Sequence, residues 1–476
     1  MTKKIIIPAP GAWNAFDTSL GIAQELLNRG DEVEFLLCSA NKIYCPANPF
    51  LNKPVVGQIT CSLCKFESSQ KLSKLRNNDK LKIIPLEDGP KISYSIEKEY
   101  FDSDLQKMSF SNLQGRFAQK EITGTRKTID MFVDIMLQNK STLAIAKSLL
   151  AQTAKNDELI IFNGRLSGFF PFVDAAENLG RKYYCFEHPD SGTGAFVVAN
   201  SVVHDPEKFA DQVYKYYKSS PVNDSEIINY GRTWLDARRN GLSNDKNSAF
   251  MRGKTNQHIY FEKKLHNYDK VFSFFVSSEY ELDFIADSVF LGYKSQIDFI
   301  NDFLDNYLND NEALIIRMHP NMVNVDHVFR DSFYDNVNKF QKKNVFLVKS
   351  DENISSLKCV ELSDIVFGFG TTVSIEAALL GKPVISFCNT QWSRFLFDYT
   401  LAELKHFRKL LKEIERNFCK ADKELRAARF IYTLHRSLGE NQLVSNSKSH
   451  LFANHNINLW FRLMNYIHKK IINYQY

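Results

Sequence analysis

Two stretches of the chain alternate short apolar runs with segments of helical periodicity, and this alternation restricts the possible folds more than any other feature. In the first stretch, KKIII (3–7) and VEFLLC (33–38) flank a helical pattern that ends at Gly30. Two apolar runs joined by one helix predict a β-α-β unit with a right-handed crossover. The pattern returns at ELIIFNG (158–164) and RKYYCFEH (181–188), which flank another helical segment.

A second block of the same kind begins at DKVFSFFVSS (269–278). Further apolar runs follow, with helical segments between them: ALIIRMH (313–319), NVFLV (344–348), DIVFGFG (364–370) and PVISF (383–387). The predicted fold class is therefore α/β, with two Rossmann-like, doubly wound parallel-sheet domains followed by C-terminal helices.

The length of 476 residues is enough for two or three domains. We expect an N-terminal domain at 1–265, which contains a cysteine-bearing insertion at 40–125. A C-terminal domain follows at 266–400. Residues 401–476 read as helices, and in one interpretation they cross back to the N-terminal domain.

Composition argues against several classes of protein. The net charge is +5 and no long basic run is present, so we expect no nucleic-acid partner. The N-terminal sequence MTKKIIIPAP has too short an apolar segment for a signal peptide. No stretch approaches the roughly 18 consecutive apolar residues of a transmembrane helix, so we expect a cytoplasmic protein.

Eight cysteines are present, and four of them cluster near the N-terminus. Cys38, Cys45, Cys61 and Cys64 end in a C-x2-C pair, and four thiolates suit a tetrahedral structural zinc site. The first two cysteines are spaced more widely than in a zinc knuckle. Unligated thiols or a redox pair are therefore the alternative interpretation.

The segment GFGTTVSIEAALLGKP places a polar turn between a predicted strand and a predicted helix. Such a turn directs backbone N–H groups and the positive end of the helix dipole at one point, which suits a phosphate. Gly370 permits close approach of the backbone, and the hydroxyls of Thr371 and Thr372 add donors. Glu376, one turn into the helix, is a candidate to accept hydrogen bonds from ribose hydroxyls. An ordinary capped helix is the alternative.

Two other strand ends in the same block carry polar side chains. In IIRMHPN, strand alternation directs Arg317 and His319 to one face, and Asn321 follows them. In FFVSSEYE, Ser277 and Ser278 follow the apolar run. A cation, an imidazole and hydroxyls at the carboxyl ends of neighbouring strands predict a nucleotide-binding edge without a Walker lysine motif.

In that order, FSFFVSSEYE, LIIRMHPN and SDIVFGFGTTVSIEAALLGKPVIS resemble the C-terminal domain of GT-B glycosyltransferases. More narrowly, they resemble the bacterial capsule-polysaccharide biosynthesis group, which includes Kdo-transferase-like proteins. The segment IIFNGRLSGFFPFVDAAENLGRKYYCFEHPDSG (160–192) resembles part of that group's N-terminal domain. The resemblance implies two Rossmann-like domains facing a cleft, a nucleotide sugar in the C-terminal half and an acceptor in the N-terminal half. It implies no metal or other cofactor for catalysis.

The resemblance also implies roles for single residues in the C-terminal half. By this resemblance, Arg317 and His319 contact the donor phosphate or the nucleotide. The other residues implied in the same donor pocket are Ser277, Ser278, Asn321, Gly370, Thr371, Thr372, Ser374 and Glu376.

In the N-terminal half, the resemblance implies Asn163 and Arg165 on the acceptor side and a catalytic base close after them. The family pattern is Glu-Arg-Gly or Glu-x-Gly, whereas this chain has Glu-His-Pro-Asp-Ser-Gly. The base is therefore Glu187, His188 or Asp190, and Glu187 is the preferred candidate.

Together these expectations describe a glycosyltransferase that moves a sugar from a CMP-, UDP- or GDP-linked donor to a surface polysaccharide of capsule or lipopolysaccharide type. The acceptor would be an oligosaccharide or a lipid-linked sugar. A sugar-nucleotide 2-epimerase and a non-catalytic polysaccharide-binding or assembly protein are the alternatives. INLWFRLMNYIHKKIINY (457–474) has an apolar stripe beside two lysines. This segment either packs across the domains or contacts the inner face of the membrane peripherally.

Overall fold

The computed structural model describes residues 2–11, 13, 15–39, 45, 47–48, 54–76, 78–86, 103–117, 124–187, 195–219, 222–240, 255–277, 292–319, 322, 333–337, 342–396, 399–400 and 403–436. The chain divides into two compact units. The first unit contains Met1–Gln114 and Ile122–His204, and the second contains Gly115–Glu121 and Asp205–Ser437. Each unit has its own sheet.

The first unit has the strand and helix alternation that the sequence predicts. Its described strands are β1 (Lys3–Ile7), β2 (Glu32–Cys38), β3 (Leu81–Leu86), β4 (Glu158–Phe162), β5 (Tyr183–Glu187) and β6 (Phe196–Ala199). Its described helices are α1 (Ala15–Asn28), α2 (Pro54–Leu72), α3 (Ser103–Phe117), α4 (Arg126–Gln152) and α5 (Phe170–Asn178), with a 3-10 turn at Asn78–Lys80.

The sheet of the first unit has the order β3-β2-β1-β4-β5-β6. Its pairs are parallel except at the edge, where β6 runs antiparallel to β5. Ile5 and Ile6 are completely buried, as expected for a central strand covered on both faces. The connections change sides between β1 and β4, so the topological switch point lies there.

The second unit repeats this connectivity. Its described strands are β7 (Lys270–Phe275), β8 (Glu312–Arg317), β9 (Val345–Val348), β10 (Ile365–Gly368), β11 (Val384–Ser386) and β12 (Tyr399–Thr400). Its described helices are α6 (Pro206–Ser219), α7 (Asp224–Arg239), α8 (Thr255–Leu265), α9 (Gln296–Asn306), α10 (Ser356–Glu361), α11 (Val373–Leu379), α12 (Ser393–Leu396), α13 (Phe407–Asn417) and α14 (Lys420–Arg436), with a 3-10 turn at Leu404–His406.

The second sheet has the order β12-β11-β10-β7-β8-β9, and all of its described pairs are parallel. Its switch point lies between β7 and β10. Phe272 of β7 stacks on Phe367 of β10 with ring centroids 5.6 Å apart. Phe303 of α9 packs edge-on against both rings. This aromatic core fixes the two strands that flank the switch point. The prediction of two Rossmann-like parallel-sheet domains is confirmed.

The boundary between the units differs from the predicted one at 265/266. Helices α6 and α7 belong to the second unit, where α7 packs on α11 and α14. A Cβ on Gly231 of α7 would lie 2.7 Å from the Cβ of Ala428 and 2.9 Å from Cδ2 of Leu379. Helical periodicity identifies an amphipathic helix but not the sheet that it covers.

The segment 40–125 also differs from its prediction as an insertion, because part of it completes the first sheet. β3 pairs with β2 along its whole length. Lys71 of α2 lies 2.8 Å from Asp17 of α1 and 3.0 Å from Glu67, and all three residues are buried. Burial raises the pKa of Glu67 although Lys71 opposes the rise. This buried group fixes α2 against α1.

None of the described helices is both long enough and apolar enough to cross a membrane. The C-terminal segment 457–474 lies outside the described residues, so the expected membrane contact stays a prediction.

Candidate functional site

The carboxyl edge of the second sheet collects the polar strand ends that the sequence singles out. Ser277 follows β7, Gly370 and two threonines follow β10, and Arg317 ends β8. These three strands are consecutive in the sheet, and the switch point lies between β10 and β7. Open α/β sheets bind their ligands at this position. This edge is therefore the candidate nucleotide site.

The backbone at Ser277 is held by the side chain of Gln296, the first residue of α9. The Ser277 N–H donates to Oε1 of Gln296 at 2.7 Å, and Nε2 of Gln296 donates to the Ser277 carbonyl at 3.0 Å. Gln296 is buried, so its amide is a fixed part of the unit. This pair of hydrogen bonds fixes the end of β7. Gln296 was not predicted, because a single glutamine at a helix start carries no distinctive sequence signal.

Arg317 and His319 lie close together at the end of β8, as predicted from strand alternation. Arg317 is 4% exposed and donates through Nη1 to the carbonyl of Lys349. Burial lowers the pKa of the Arg317 guanidinium. Burial also lowers the pKa of His319, and the charge of Arg317 lowers it further. His319 is therefore neutral at pH 7 and offers a hydrogen bond rather than a positive charge.

Some backbone N–H groups in the turn after β10 form hydrogen bonds within the turn, whereas the sequence predicts N–H groups directed at a phosphate. Gly370 has φ 68°, a left-handed conformation that glycine adopts readily. The N–H of Val373 donates to Oγ1 of Thr371 at 3.3 Å, and the N–H of Ser374 donates to the Thr371 carbonyl at 3.2 Å. Thr372 is exposed and its hydroxyl makes no capping hydrogen bond. The Thr372 hydroxyl is therefore on the exposed side of this turn, where it could contact a ligand.

The expected ribose contact of Glu376 is corrected by its burial. Glu376 is 0% exposed, and its Oε1 lies 2.7 Å from Nη2 of Arg238 on α7. The Arg238 guanidinium in turn lies over the Trp234 ring at 4.9 Å. Burial raises the pKa of Glu376, and Arg238 opposes that rise. Ser374, expected to hold phosphate, is also buried at 1% exposure. Both side chains belong to the packing of α11 rather than to the open edge.

Four predicted site residues lie outside the described residues: His188, Asp190, Ser278 and Asn321. Their proposed roles stay predictions. Of the three candidates for the base, Glu187 is the one that the structure describes.

The turn after β4 brings Asn163 and Glu187 together in the first unit. Asn163 has φ 58° and is 4% exposed. Its Nδ2 donates to Oε2 of Glu187 at 2.6 Å, and its Oδ1 accepts from the N–H groups of Arg165 and Leu166, each at 3.1 Å. Asparagine adopts a positive φ more readily than other non-glycine residues, because its side chain bonds to nearby backbone groups. Asn163 therefore orients Glu187 at the switch point side of β5.

Buried polar side chains of α3 and α4 hold the same turn. The Ser167 N–H donates to Oδ1 of Asn112 at 2.7 Å, and Oγ of Ser167 donates to Oδ1 of Asn139 at 2.8 Å. Nδ2 of Asn139 donates to Oγ of Ser109 at 3.0 Å. Networks of this kind specify one conformation when their members are satisfied. The sequence analysis missed them because Ser and Asn inside helices carry no periodic signal.

Arg165 is directed into the unit rather than to solvent. It is 8% exposed, and its Nη1 lies 3.5 Å from Oγ of Ser111. His204 lies near enough that the Arg165 charge adds to burial, and together they lower the pKa of His204 to about 3. His204 is therefore a neutral imidazole at physiological pH, and the sequence analysis did not select it.

The zinc prediction for the four N-terminal cysteines is corrected. All four line one cavity of the first unit. None of the four is joined in a disulfide, and the described part of the chain has no group of three or more His, Cys, Asp or Glu side chains that could hold a metal ion. Cys61 and Cys64 lie on α2, and Cys38 ends β2. Because these elements lie on different sides of the cavity, the thiols surround a space instead of converging on one point.

Comparisons with known proteins give only distant similarities. No protein-family model matches the chain, and no curated protein matches it. Among solved structures, it is similar to the N-terminal domain of Candida albicans trehalose-6-phosphate phosphatase, with 10% identity, TM-score 0.36 and coverage of 95% of this chain and 94% of that one. For a Burkholderia vietnamiensis alpha,alpha-trehalose-phosphate synthase (UDP-forming), the values are 9% identity, TM-score 0.35, and 93% and 95% coverage.

A third similar structure is Thermosulfurimonas dismutans KpsC, a beta Kdo 2,7 transferase. The identity is 13% and the TM-score 0.33, with 71% of this chain and 88% of that chain covered. Similarity this low assigns neither a family nor an activity. The two Rossmann-like sheets and the candidate sites are instead defined by the chain's own strand order and contacts.

Proposed function

We propose that this chain is a glycosyltransferase that moves a sugar from a nucleotide-sugar donor to a surface polysaccharide acceptor. One observation supports this proposal above the others. Both sheets have the same strand connectivity, and both have polar side chains at the carboxyl edge beside the switch point: Asn163 follows β4 in the first sheet, and Ser277 and Thr371 follow β7 and β10 in the second. A chain with two such edges has one site for a nucleotide and one for a second substrate.

The donor would bind at the edge of the second sheet. The exposed Thr372 hydroxyl and the neutral His319 imidazole can both donate hydrogen bonds to a diphosphate. Stabilising the leaving phosphate lowers the barrier to glycosyl transfer, because negative charge develops there as the sugar departs. The backbone at Ser277, fixed by Gln296, would line the same pocket.

The first unit would supply the base. Glycosyl transfer with inversion needs a group that removes the proton from the acceptor hydroxyl, and a carboxylate suits this role. Glu187 is the proposed base, and the hydrogen bond from Asn163 would fix which of its oxygens faces the acceptor. The identity of the acceptor as a capsule or lipopolysaccharide glycan rests on the sequence motifs alone.

Thermal stabilisation by nucleotides tests the donor site. The purified protein is melted with millimolar CMP, UDP, GDP or ADP, beside T372A and H319A. One nucleotide should stabilise the wild type, and each variant should bind it roughly tenfold more weakly through loss of a hydrogen bond. T233A is the matched control, because Thr233 is exposed on α7 and its hydroxyl bonds to the backbone of its own helix.

Turnover tests the reaction. With the stabilising nucleotide as its sugar conjugate, the wild type should release nucleotide slowly by hydrolysis, and E187Q should lower kcat by about 10²–10⁴-fold with unchanged nucleotide binding. No stabilisation by any nucleotide would contradict the proposal. Interconversion of two free sugar nucleotides without an acceptor would show an epimerase instead.

A further inference from the structure

The first unit contains a cavity of about 440 Å³ at the carboxyl edge of its sheet. The ends of β1, β2 and β3 form its floor, including Ile7, Leu36 and Leu86. α2 forms one side, and Phe169 and Phe172 at the start of α5 form another. This volume lies within the roughly 300–1,000 Å³ that is typical of small-molecule sites.

α2 turns one face to this cavity. Cys61, Cys64, Lys65 and Ser68 line it, and their spacing of three and four residues places them on one side of the helix. Nδ2 of Asn48 donates to Sγ of Cys61 at 3.1 Å. The face is therefore made of weakly polar thiols and hydroxyls with one long cationic side chain.

The helix over the cavity is held firmly in place. Its buried Lys71 pairs with Asp17 of α1 at 2.8 Å. The loop after β1 touches it so closely that a Cβ on Gly11 would lie 1.9 Å from Oγ of Ser68 and 2.8 Å from the Cys64 carbonyl. The cavity cannot collapse by a small shift of α2, because ion pairs and backbone contact fix the helix on both sides.

Charge decides the kind of ligand. Among the described residues that line the cavity, Lys65 is the one charged side chain, and none is a carboxylate. Most of the remaining lining is aliphatic or aromatic. An apolar body would replace water against these side chains, and a negative group would be attracted to Lys65.

We propose that this cavity binds a small amphiphilic anion, with its single apolar chain between the strand ends and α2 and its anionic group at Lys65. The proposal goes beyond glycosyl transfer, since it requires neither the nucleotide nor Glu187. Ligand binding would cover the cavity thiols, and this gives a direct readout.

Thiol alkylation of the full-length protein tests the proposal. Octyl phosphate is added below its micelle concentration, and N-ethylmaleimide labelling of each cysteine is followed by mass spectrometry. Labelling of Cys61 and Cys64 should slow several-fold. Labelling of Cys419 should not change, because this exposed thiol lies in the second unit and does not line the cavity. Inorganic phosphate, which lacks the chain, should protect nothing.

Variants separate the apolar part from the charge. C61W places a large side chain in the cavity and should abolish the binding of octyl phosphate, measured by calorimetry. C61S leaves the cavity open and keeps a hydrogen-bond acceptor for Asn48, so it should bind octyl phosphate as the wild type does. K65E should weaken binding by roughly threefold or more, as expected for a solvent-exposed ion pair. Circular dichroism and urea unfolding report that each variant is folded.

Two results would overturn the proposal. One is equal protection of Cys61, Cys64 and Cys419, because it would show a general effect of the amphiphile. The other is a combined result: octanol binds as tightly as octyl phosphate, and K65E binds octyl phosphate with unchanged affinity. This result would show that the cavity does not recognise an anion.

Discussion

Replacing Arg238 with methionine should lower the free energy of unfolding by about 3–5 kcal/mol at neutral pH, the typical cost of leaving one member of a buried ion pair without its partner. Glu376 is 0% exposed, and its Oε1 lies 2.7 Å from Nη2 of Arg238. Methionine keeps much of the aliphatic contact with Trp234, so loss of the charge dominates. Because the whole stability of a domain is about 5–15 kcal/mol, such a loss is easily measured.

The pH dependence of this loss follows from Glu376. Burial raises the pKa of Glu376 above its ordinary value of 4.5, while Arg238 holds it down. A carboxyl with a raised folded-state pKa stabilises the fold below its unfolded value, and this contribution is lost as the pH rises through the folded pKa. Without Arg238 the folded pKa of Glu376 rises further. R238M should therefore be least destabilised near pH 4 and most destabilised at neutral pH.

Urea unfolding followed by circular dichroism at both pH values measures these differences. The double variant R238M/E376M removes both charges and should recover most of the loss. R239M is the matched control, because Arg239 is exposed and pairs at the surface with Glu361 at 2.8 Å, so its removal should cost under about 1 kcal/mol. The reasoning would be refuted by an R238M protein as stable as wild type at neutral pH. An E376Q protein of unchanged stability that no longer binds nucleotide would also refute it, and would return Glu376 to the ribose.

Three further predictions concern single side chains. Gly11→Ala should lower the free energy of unfolding of the first unit by about 1–3 kcal/mol, measured in urea, because the new Cβ would lie 1.9 Å from Oγ of Ser68. Gly115→Ala is the control and should leave the stability unchanged, because a Cβ at Gly115 would have no neighbouring atom within 4 Å. Lys71→Met should lower the free energy of unfolding by about 3–5 kcal/mol at neutral pH. The loss should be smaller in acid, where the carboxyls of Asp17 and Glu67 are protonated. An equal loss of stability at both pH values would contradict this prediction. Because the pKa of His319 is lowered, a bound phosphate should draw a proton to it near pH 6, and calorimetry in two buffers should detect an uptake that His319→Gln abolishes. The same uptake in the variant would exclude His319 as its source.

The predicted strands contain consecutive apolar residues. β4, β8 and β10 are buried at every position, and their apolar residues form the runs LIIF, ALII and IVF. β3 was missed because LKIIPL mixes half-buried and exposed positions without a regular period and contains a proline, a composition suited to a sheet edge. β12 has two residues, too few for any periodicity.

Local sequence also predicted which turns follow the strands, but not how deeply their side chains are buried. The motif at Glu376 is compatible with two arrangements. Its helix can begin at an exposed sheet edge, or it can pack beneath another helix. Its partner Arg238 lies on α7, which the sequence analysis assigned to the other domain. The same limit applies to the prediction of a zinc site at the four cysteines. Spacing shows that thiols can approach one another, whereas only packing shows that a cavity lies between them.

The two switch points are built differently, and the difference bears on which of them performs the chemistry. In the second unit, hydroxyls and a neutral imidazole follow the strands, which suits binding through several weak hydrogen bonds. In the first unit, Asn163 is held at φ 58° and donates to Glu187 at 2.6 Å. A hydrogen bond from a fixed neighbour holds a carboxylate in one orientation, and a catalytic base requires such positioning more than a binding turn does. N163D tests this distinction, because aspartate keeps the size of Asn163 and its bonds to the following N–H groups. It also sets a second carboxylate beside Glu187, and like charges favour the protonated form. If Glu187 is the base, the acid limb of the rate profile moves to higher pH in N163D while nucleotide affinity stays unchanged. A profile identical to that of the wild type would assign Asn163 and Glu187 to the structure of the turn alone.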